Sequence, residues 1–598
     1  MQQQPESPLS SQRTRPALSR MRPPAAVVAG SLRSSHALAS ASRQRGLWGK
    51  IALLLLLLLL IEVGLLALYP LFITTNSTGD ALQKAWSTLF LWLPRLYWTN
   101  TPVAQGELSL LPWLSPLTAV GKRHLIICAT ALALVGSLLA ALVGRWIERR
   151  SVPRFTLSIL FCLVLFGTLL SGLTLLFVPV SSNLLMQPTL LNGFYGRMLA
   201  FYHLSPYGAI PASLHHDPLW SLLQNGGATL PDSTGIGPVW LDICLLIALL
   251  SGNSIGFLMF GFRLLGLLAH VGNVILLWHG LSRFKPATRV TGTLLYAWNP
   301  LVLLFSVVFM RQEVVLLLFL LLATLFLQRA SPTLAWILVV LSALMNSFYL
   351  LLLPVAFSFL LRQSRLLTFK RCLLWWIGML CITVLVSALA YAPYWHGWGL
   401  SGIGASLRQS FFPPTAINSL DAALQHLPIT LPTSLSWLLK PQSWATLVLA
   451  LEALLLLIGI WLIDTVPMAL LFSCWVLLLG IMLEPIYWPW YMLPPLGLAI
   501  YSTNRRTLEL TILLMAGAFA CMWFWLSSAP DAGLALAFLA VPILLWGWLL
   551  FFVATWHMAH KEETIPETTP DDRQRYLRLS SFSWPRNEEN DREGTSLQ

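Results

Sequence analysis

Between Asn192 and Asp242 the chain gathers side chains able to bind an anion and to move a proton. The stretch reads NGFYGRMLAFYHLSPY, then PASLHHDPLW, then PDSTGIGPVWLD. Arg197 and His203 can meet a phosphate or a sugar, and Asp217 follows His215 and His216 directly. Tyr195, Tyr202, Trp220 and Trp240 offer flat faces for stacking, while Pro206, Pro211, Pro218 and Pro238 break any regular element. An aromatic belt at a membrane surface accounts for the Tyr and Trp residues equally well. It does not account for Arg197, His215, His216 and Asp217 packed among them. A second group of polar residues, Arg311-Gln312-Glu313, stands downstream between two apolar runs.

The elements that must hold these groups are written for lipid. Of 598 residues, 57% are hydrophobic and 10% charged, against about a quarter charged in a soluble domain. Leu53 to Leu60 is an unbroken leucine run. Stretches near the ~20 residues needed to cross a bilayer recur along the chain, so the reading is an all-α polytopic membrane protein. Residues 1–45 read as a disordered basic tail, 46–556 as the transmembrane domain, and 557–598 as a second disordered, charged tail. Short basic clusters set the orientation: Arg145 to Arg154, Arg283 to Arg289, Arg362 to Arg371, and Arg505 with Arg506 mark cytoplasmic loops. Both tails then fall in the cytoplasm, provided that Val239–Leu277 makes one net crossing. Thr74–Arg123, Pro179–Pro238, Met310–Glu313, Pro393–Ser443 and Glu484–Pro489 fall outside, with Lys122 and Arg123 as the discordant pair. The outer Pro179–Pro238 loop is expected to fold over a cavity, with short helices lying in the interface. Arg263, in the middle of an apolar run, calls for a buried partner, and Asp242 is a candidate.

The charge of +13 is dispersed between apolar spans rather than gathered on one face, which excludes a nucleic-acid surface. The seven cysteines lie in apolar segments with no CxxC and no zinc spacing.

In order along the chain, Tyr195-Gly196-Arg197, Ser205-Pro206-Tyr207, Asp217-Pro218 and Ile236-Gly237-Pro238-Val239-Trp240 are followed by Trp298-Asn299-Pro300, Ala392-Pro393-Tyr394-Trp395 and Trp488-Pro489-Trp490-Tyr491. This set resembles GT-C glycosyltransferases, in particular the polyprenyl-phosphomannose-dependent mannosyltransferases, over roughly residues 155–500. The sequence departs from that pattern in three places. The early-loop carboxylate of the family is replaced by Met186-Gln187-Pro188-Thr189, its His-Asn/Gly-Asp by Arg311-Gln312-Glu313, and a frequent Lys by Asn346.

The resemblance implies a bundle of about 11–14 transmembrane helices that moves a hexose such as mannose from a polyprenyl-phosphate carrier. The acceptor would be a glycan, lipid or protein at the outer leaflet. It implies no cofactor beyond the lipid-linked donor and leaves a divalent metal open. Such a reaction needs a cation beside the departing phosphate and a carboxylate near the acceptor hydroxyl. Asp217 and Glu313 are the candidate catalytic carboxylates. Tyr195, Arg197, His203, Tyr207 and Arg311 are candidate substrate-binding residues, and Gly237, Pro238, Trp240, Asn299 and Pro300 carry the structural motifs. Each has a plainer alternative: Glu313 opening a helix, Asp217 starting a turn, either arginine reaching to headgroups. Two rival functions stay open, a catalytically inactive relative that binds lipid-linked glycan and a transporter or flippase. Against the latter stands the lack of a clear internal repeat.

Overall fold

The computed structural model describes residues 47–67, 119–149, 153–178, 186–208, 212–225, 234–329, 331–364, 368–395, 441–483, 488–502 and 504–526, with positions 404–405, 407–408 and 547 besides. Both expected tails and almost all of the Thr74–Arg123 and Pro393–Ser443 loops lie outside the described residues. The chain divides into two compact units, Met1–Leu54 and Leu55–Gln598, and the site lies in the second.

Every regular element among the described residues is a helix. Six are long and apolar enough to cross a membrane: Leu47–Leu66 (α1), Cys128–Glu148 within the longer α2 (Ala119–Glu148), Arg154–Leu176 (α3), Ile255–Phe284 (α7), Ser347–Ser364 and Phe369–Tyr394. A seventh arises if a helix pair bent by 51° is one span. Between α3 and α7 come four short pieces: Gln187–Tyr202 (α4), a 3-10 turn Ala212–His216, Pro218–Asn225 (α5) and Pro238–Ser251 (α6). The loop forms these short helices over 187–202, 212–216 and 218–225 and is non-helical at 203–208 and 234–237, and the apolar cavity described below is lined by other elements.

The breaks follow from side-chain chemistry. Pro218, Pro238 and Pro300 each occupy a first helical position, where the missing N–H is harmless and the fixed φ suits the helix. The bent pair is Arg289–Ala297 (α8) followed by Pro300–Leu303 (α9), which runs into a π turn, Leu304–Val308. Asn299 caps the second half by accepting the Leu301 N–H at 3.0 Å, and the Trp298 indole N–H reaches the Val164 carbonyl of α3 at 3.2 Å. The rest of the chain gives Gln312–Gln328 (α10), Pro332–Met345 (α11), Leu352–Ser364 (α12) after a 3-10 turn Ser347–Leu351, and Phe369–Tyr391 (α13). Pro441–Leu462 (α14), Val466–Leu483 (α15), Leu493–Tyr501 (α16) and Arg505–Leu526 (α17) complete it.

Contacts between loops segregate into two sets. In one, the Glu148 carboxylate at the end of α2 accepts from Val290 N–H and the Thr291 hydroxyl at the start of α8. In the same set Lys285 donates to the Ser502 carbonyl at 3.4 Å and Arg362 pairs with Asp464. These bonds join the first, second and fourth basic clusters, while the third pairs with the turn between Leu462 and Val466. In the other set the Thr189 hydroxyl donates to the Phe309 carbonyl, Gly237 N–H donates to the Met345 carbonyl at 3.0 Å, and Ile236 bridges Asn346. Helix α6 starts at this second set, and the Gly252 carbonyl behind its far end accepts from Arg197 of α4 at 3.5 Å. With 14 residues it is about 21 Å long, short of a ~30 Å hydrocarbon core.

Arg263 of α7 is buried but does not pair with Asp242. Its guanidinium donates to the Val308 carbonyl at 3.3 Å, the Leu176 carbonyl at 3.2 Å and the Val178 carbonyl. Those carbonyls end α3 and the π turn, where helix dipoles already favour a cation. The sequence expectation of an acid partner is replaced by backbone.

Candidate functional site

At the end away from the basic clusters the described motif residues form three polar groups. The first is an ion pair. Arg197 Nε donates to Asp217 Oδ2 at 2.9 Å, with 6% and 0% of the two side chains exposed. Asp217 Oδ2 also accepts the Tyr202 hydroxyl at 3.2 Å, and Oδ1 accepts the Leu219 N–H at 2.9 Å, capping α5. The Arg197 guanidinium lies 5.0 Å from the Phe201 ring centre. Gly196 is what allows α4 this close to α6: a Cβ there would sit 2.4 Å from the Cys244 carbonyl oxygen. This pair therefore ties α4, α5 and the end of α6 together, and both Asp217 oxygens are taken. Tyr195 is buried in the same layer with its hydroxyl facing Thr234, and burial raises its pKa. His203 closes α4 in the left-handed conformation, φ 52°, with its ring exposed. His215 stacks on Trp220 at 4.3 Å.

The second group is built around Arg311. Its guanidinium lies 3.7 Å from the Trp490 ring centre, a cation–π contact away from water. Burial lowers the guanidinium to about 9, and the neighbouring Glu313 carboxylate opposes that shift. Trp490 stacks on Trp488 at 4.5 Å and meets Phe305 edge-on. Glu313, in the first turn of α10, is 1% exposed. Met310, at φ 34°, turns the chain between the π turn and α10.

The third group joins three of the sequence motifs. Tyr207 donates its hydroxyl to the Ile236 carbonyl at 2.8 Å and meets the Tyr394 ring edge-on at 5.4 Å. The Tyr394 hydroxyl in turn donates to Asp242 Oδ1 at 2.6 Å. Burial raises the Tyr207 pKa, with Tyr391 and Asp242 adding to it. Gly237 seats this group on the α11 terminus, where a Cβ would lie 2.0 Å from the Leu344 carbonyl oxygen. Trp240 is fully buried and packs near Phe262 of α7. Composition alone would not have singled out Asp242 and Tyr394, which touch across 152 residues of sequence.

The last two groups flank one turn: Gly237 bonds to Met345, and Phe348, just beyond it, stacks parallel to Tyr491 beside Trp490. Arg197 and Asp217 are thus brought together, Arg311 and Glu313 are neighbours elsewhere, and Asn299 with Pro300 serves the bent helix. Among the described residues no three His, Cys, Asp or Glu side chains converge as metal ligands would. An apolar cavity of about 60 Å³ lies between α10, α11, α12 and α15, lined by residues such as Thr324, Trp336, Val355 and Phe359, away from all three groups. No protein-family profile matches this chain, and no curated protein matches it either.

Proposed function

We propose that this protein is a membrane glycosyltransferase of the GT-C type. It would take a hexose such as mannose from a polyprenyl-phosphate carrier and pass it to a glycan, lipid or protein acceptor at the outer leaflet. Both termini would be cytoplasmic, and the shorter apolar helices would join the long ones in a bundle of about 11–14 crossings.

What supports this reading is the meeting of Tyr207, Ile236-Gly237 and Tyr394 at one turn, with Arg311 and Trp490 on its other side. All of them but Arg311, which stands where the sequence departs from the family pattern, come from four separate motifs of the resemblance. The arrangement offers what a phosphate-linked donor requires. Arg311 would offer its guanidinium to a departing phosphate, and the Trp and Tyr rings would give faces on which a sugar can lie. Inversion at the anomeric carbon follows from a single displacement. The ion-paired Arg197 and Asp217 shape the layer above this turn.

The rival of a catalytically inactive glycan-binding relative draws on one observation, the full occupancy of Asp217. Transfer assays separate the two. Purified protein in liposomes is given labelled polyprenyl-phosphate mannose or glucose together with an envelope acceptor fraction. Label should move to the acceptor, and Arg311→Ala should reduce the rate about 10²–10³-fold. Retained donor binding with no transfer from any hexose donor favours the inactive relative instead.

A further inference from the structure

A transferase of this kind needs a base, and the described carboxylates at this end differ sharply in their ability to act as one. Asp217 has both oxygens occupied, by Arg197, Tyr202 and the Leu219 amide, and none of its side chain is exposed. Glu313 is closed in behind Arg311 at 1% exposure. Asp242 is half-buried. Its Oδ1 is fixed by the Tyr394 hydroxyl at 2.6 Å, and among the described residues its Oδ2 accepts no hydrogen bond.

A carboxylate anchored at one oxygen and open at the other meets the geometric demand on a general base. It must be oriented and must also reach the proton that it removes. The anchor is itself held. The Tyr394 ring is braced edge-on by Tyr207, and the Tyr207 hydroxyl is fixed on Ile236, the residue that bridges Asn346. Asp242 stands five residues beyond Gly237, so it rises about 7.5 Å along α6 from the turn that Arg311 and Trp490 approach from the other side. The titratable groups facing it are Tyr394 and Tyr207 from neighbouring elements and Cys244 from its own helix. None of them is a cation that would hold its proton away.

Building on the transferase reading above, we propose that Asp242 is the catalytic base and Tyr394 its positioning residue. Oδ2 takes the proton of the acceptor hydroxyl as that oxygen bonds to the anomeric carbon. The bond from that carbon to the phosphate oxygen breaks, and its electron pair leaves with the polyprenyl phosphate beside Arg311. Asp242 then returns the proton to water.

The test uses the full chain in liposomes with labelled polyprenyl-phosphate hexose, wild type against Asp242→Asn and Tyr394→Phe. Asp242→Asn should lower the transfer rate about 10²–10⁴-fold while donor binding changes less than threefold. Tyr394→Phe removes a hydrogen bond to the charged form of the base, which raises the base's pKa. The acid limb of its rate–pH profile should therefore move to higher pH, a change that loosened packing alone does not produce. Transfer by Asp242→Asn within tenfold of wild type, or an unmoved acid limb in Tyr394→Phe, overturns the assignment and leaves the transferase reading standing. Wild type that binds donor and transfers nothing overturns both. If Asp242→Asn fails to fold, the Tyr394→Phe profile decides alone.

Discussion

Replacing Arg197 by methionine removes a charge from a site that water does not reach while keeping most of the side-chain volume. The Asp217 carboxylate, with 0% of its side chain exposed, would keep only the Tyr202 hydroxyl and the Leu219 amide. Breaking one side of a buried pair costs about 3–5 kcal/mol, because the remaining charge stays buried without its counter-ion. Asp217→Asn should cost somewhat less, since asparagine still caps α5. With both changes present no charge is left stranded. The double variant should then be more stable than the sum of the singles by roughly 2 kcal/mol, within the range for directly contacting residues. Equilibrium unfolding in mixed micelles, with two probes whose transitions coincide, measures these differences; a melting scan of an irreversible system does not. Strict additivity would refute the pairing. So would an Arg197→Met protein within about 1 kcal/mol of wild type that has lost transfer, because Arg197 would then act on the substrate and not on α5.

Three further outcomes follow from the geometry. Gly237→Ala would push a methyl against the Leu344 carbonyl oxygen, 2.0 Å away, and loosen the Gly237–Met345 bond, at a cost of roughly 2–4 kcal/mol in the same unfolding assay. Asn299→Ala removes the cap on Leu301 N–H and should destabilise by about 1 kcal/mol, with Asn299→Ser recovering most of it. Reporter fusions after Arg150, Lys285, Arg371 and Arg506 should mark one side of the membrane, and fusions near Ser221 and Arg408 the other. Ser221 and Arg371 scoring alike would break the assignment of the two ends.

Residue chemistry read in order along the chain goes far for the helices and less far for the site. Apolar length announces α3, α7 and α13. Asn299 and Pro300, read in the sequence only as a motif, make the bend between α8 and α9, because proline starts a helix where asparagine can cap it. The basic clusters sort the loops into two ends, and the bonds of Glu148, Lys285 and Arg362 join loops of the same class. Side-chain partners were less legible. Arg263 invites an acidic partner, yet helix-end carbonyls satisfy it, and nothing in a sequence marks which carbonyls will be left over at a helix terminus. Asp217 looks available beside its proline until Arg197 closes on it from 20 residues away. Asp242 looks like one polar residue in an apolar helix, because Tyr394, the group that orients it, stands 152 residues downstream.

The way Arg263 is satisfied bears on how the chain enters the membrane. An arginine in a spanning helix opposes insertion, by about 2.5–3.5 kcal/mol at the centre on biological scales, and Arg263 stands nine residues into α7. Two of its acceptors, Leu176 and Val178, have been synthesised 87 and 85 residues earlier and can await it at the end of α3. The third, Val308, follows 45 residues later. Helix α7 thus leaves the ribosome with a docking place already made, and its long apolar run carries the charge into lipid. The π turn closes over the guanidinium only after α8 and α9 have emerged. Biogenesis of this region has a fixed order, α3 before α7 before α9, and a ribosome stalled before Val308 should expose α7 in a state more open to extraction than in the finished protein.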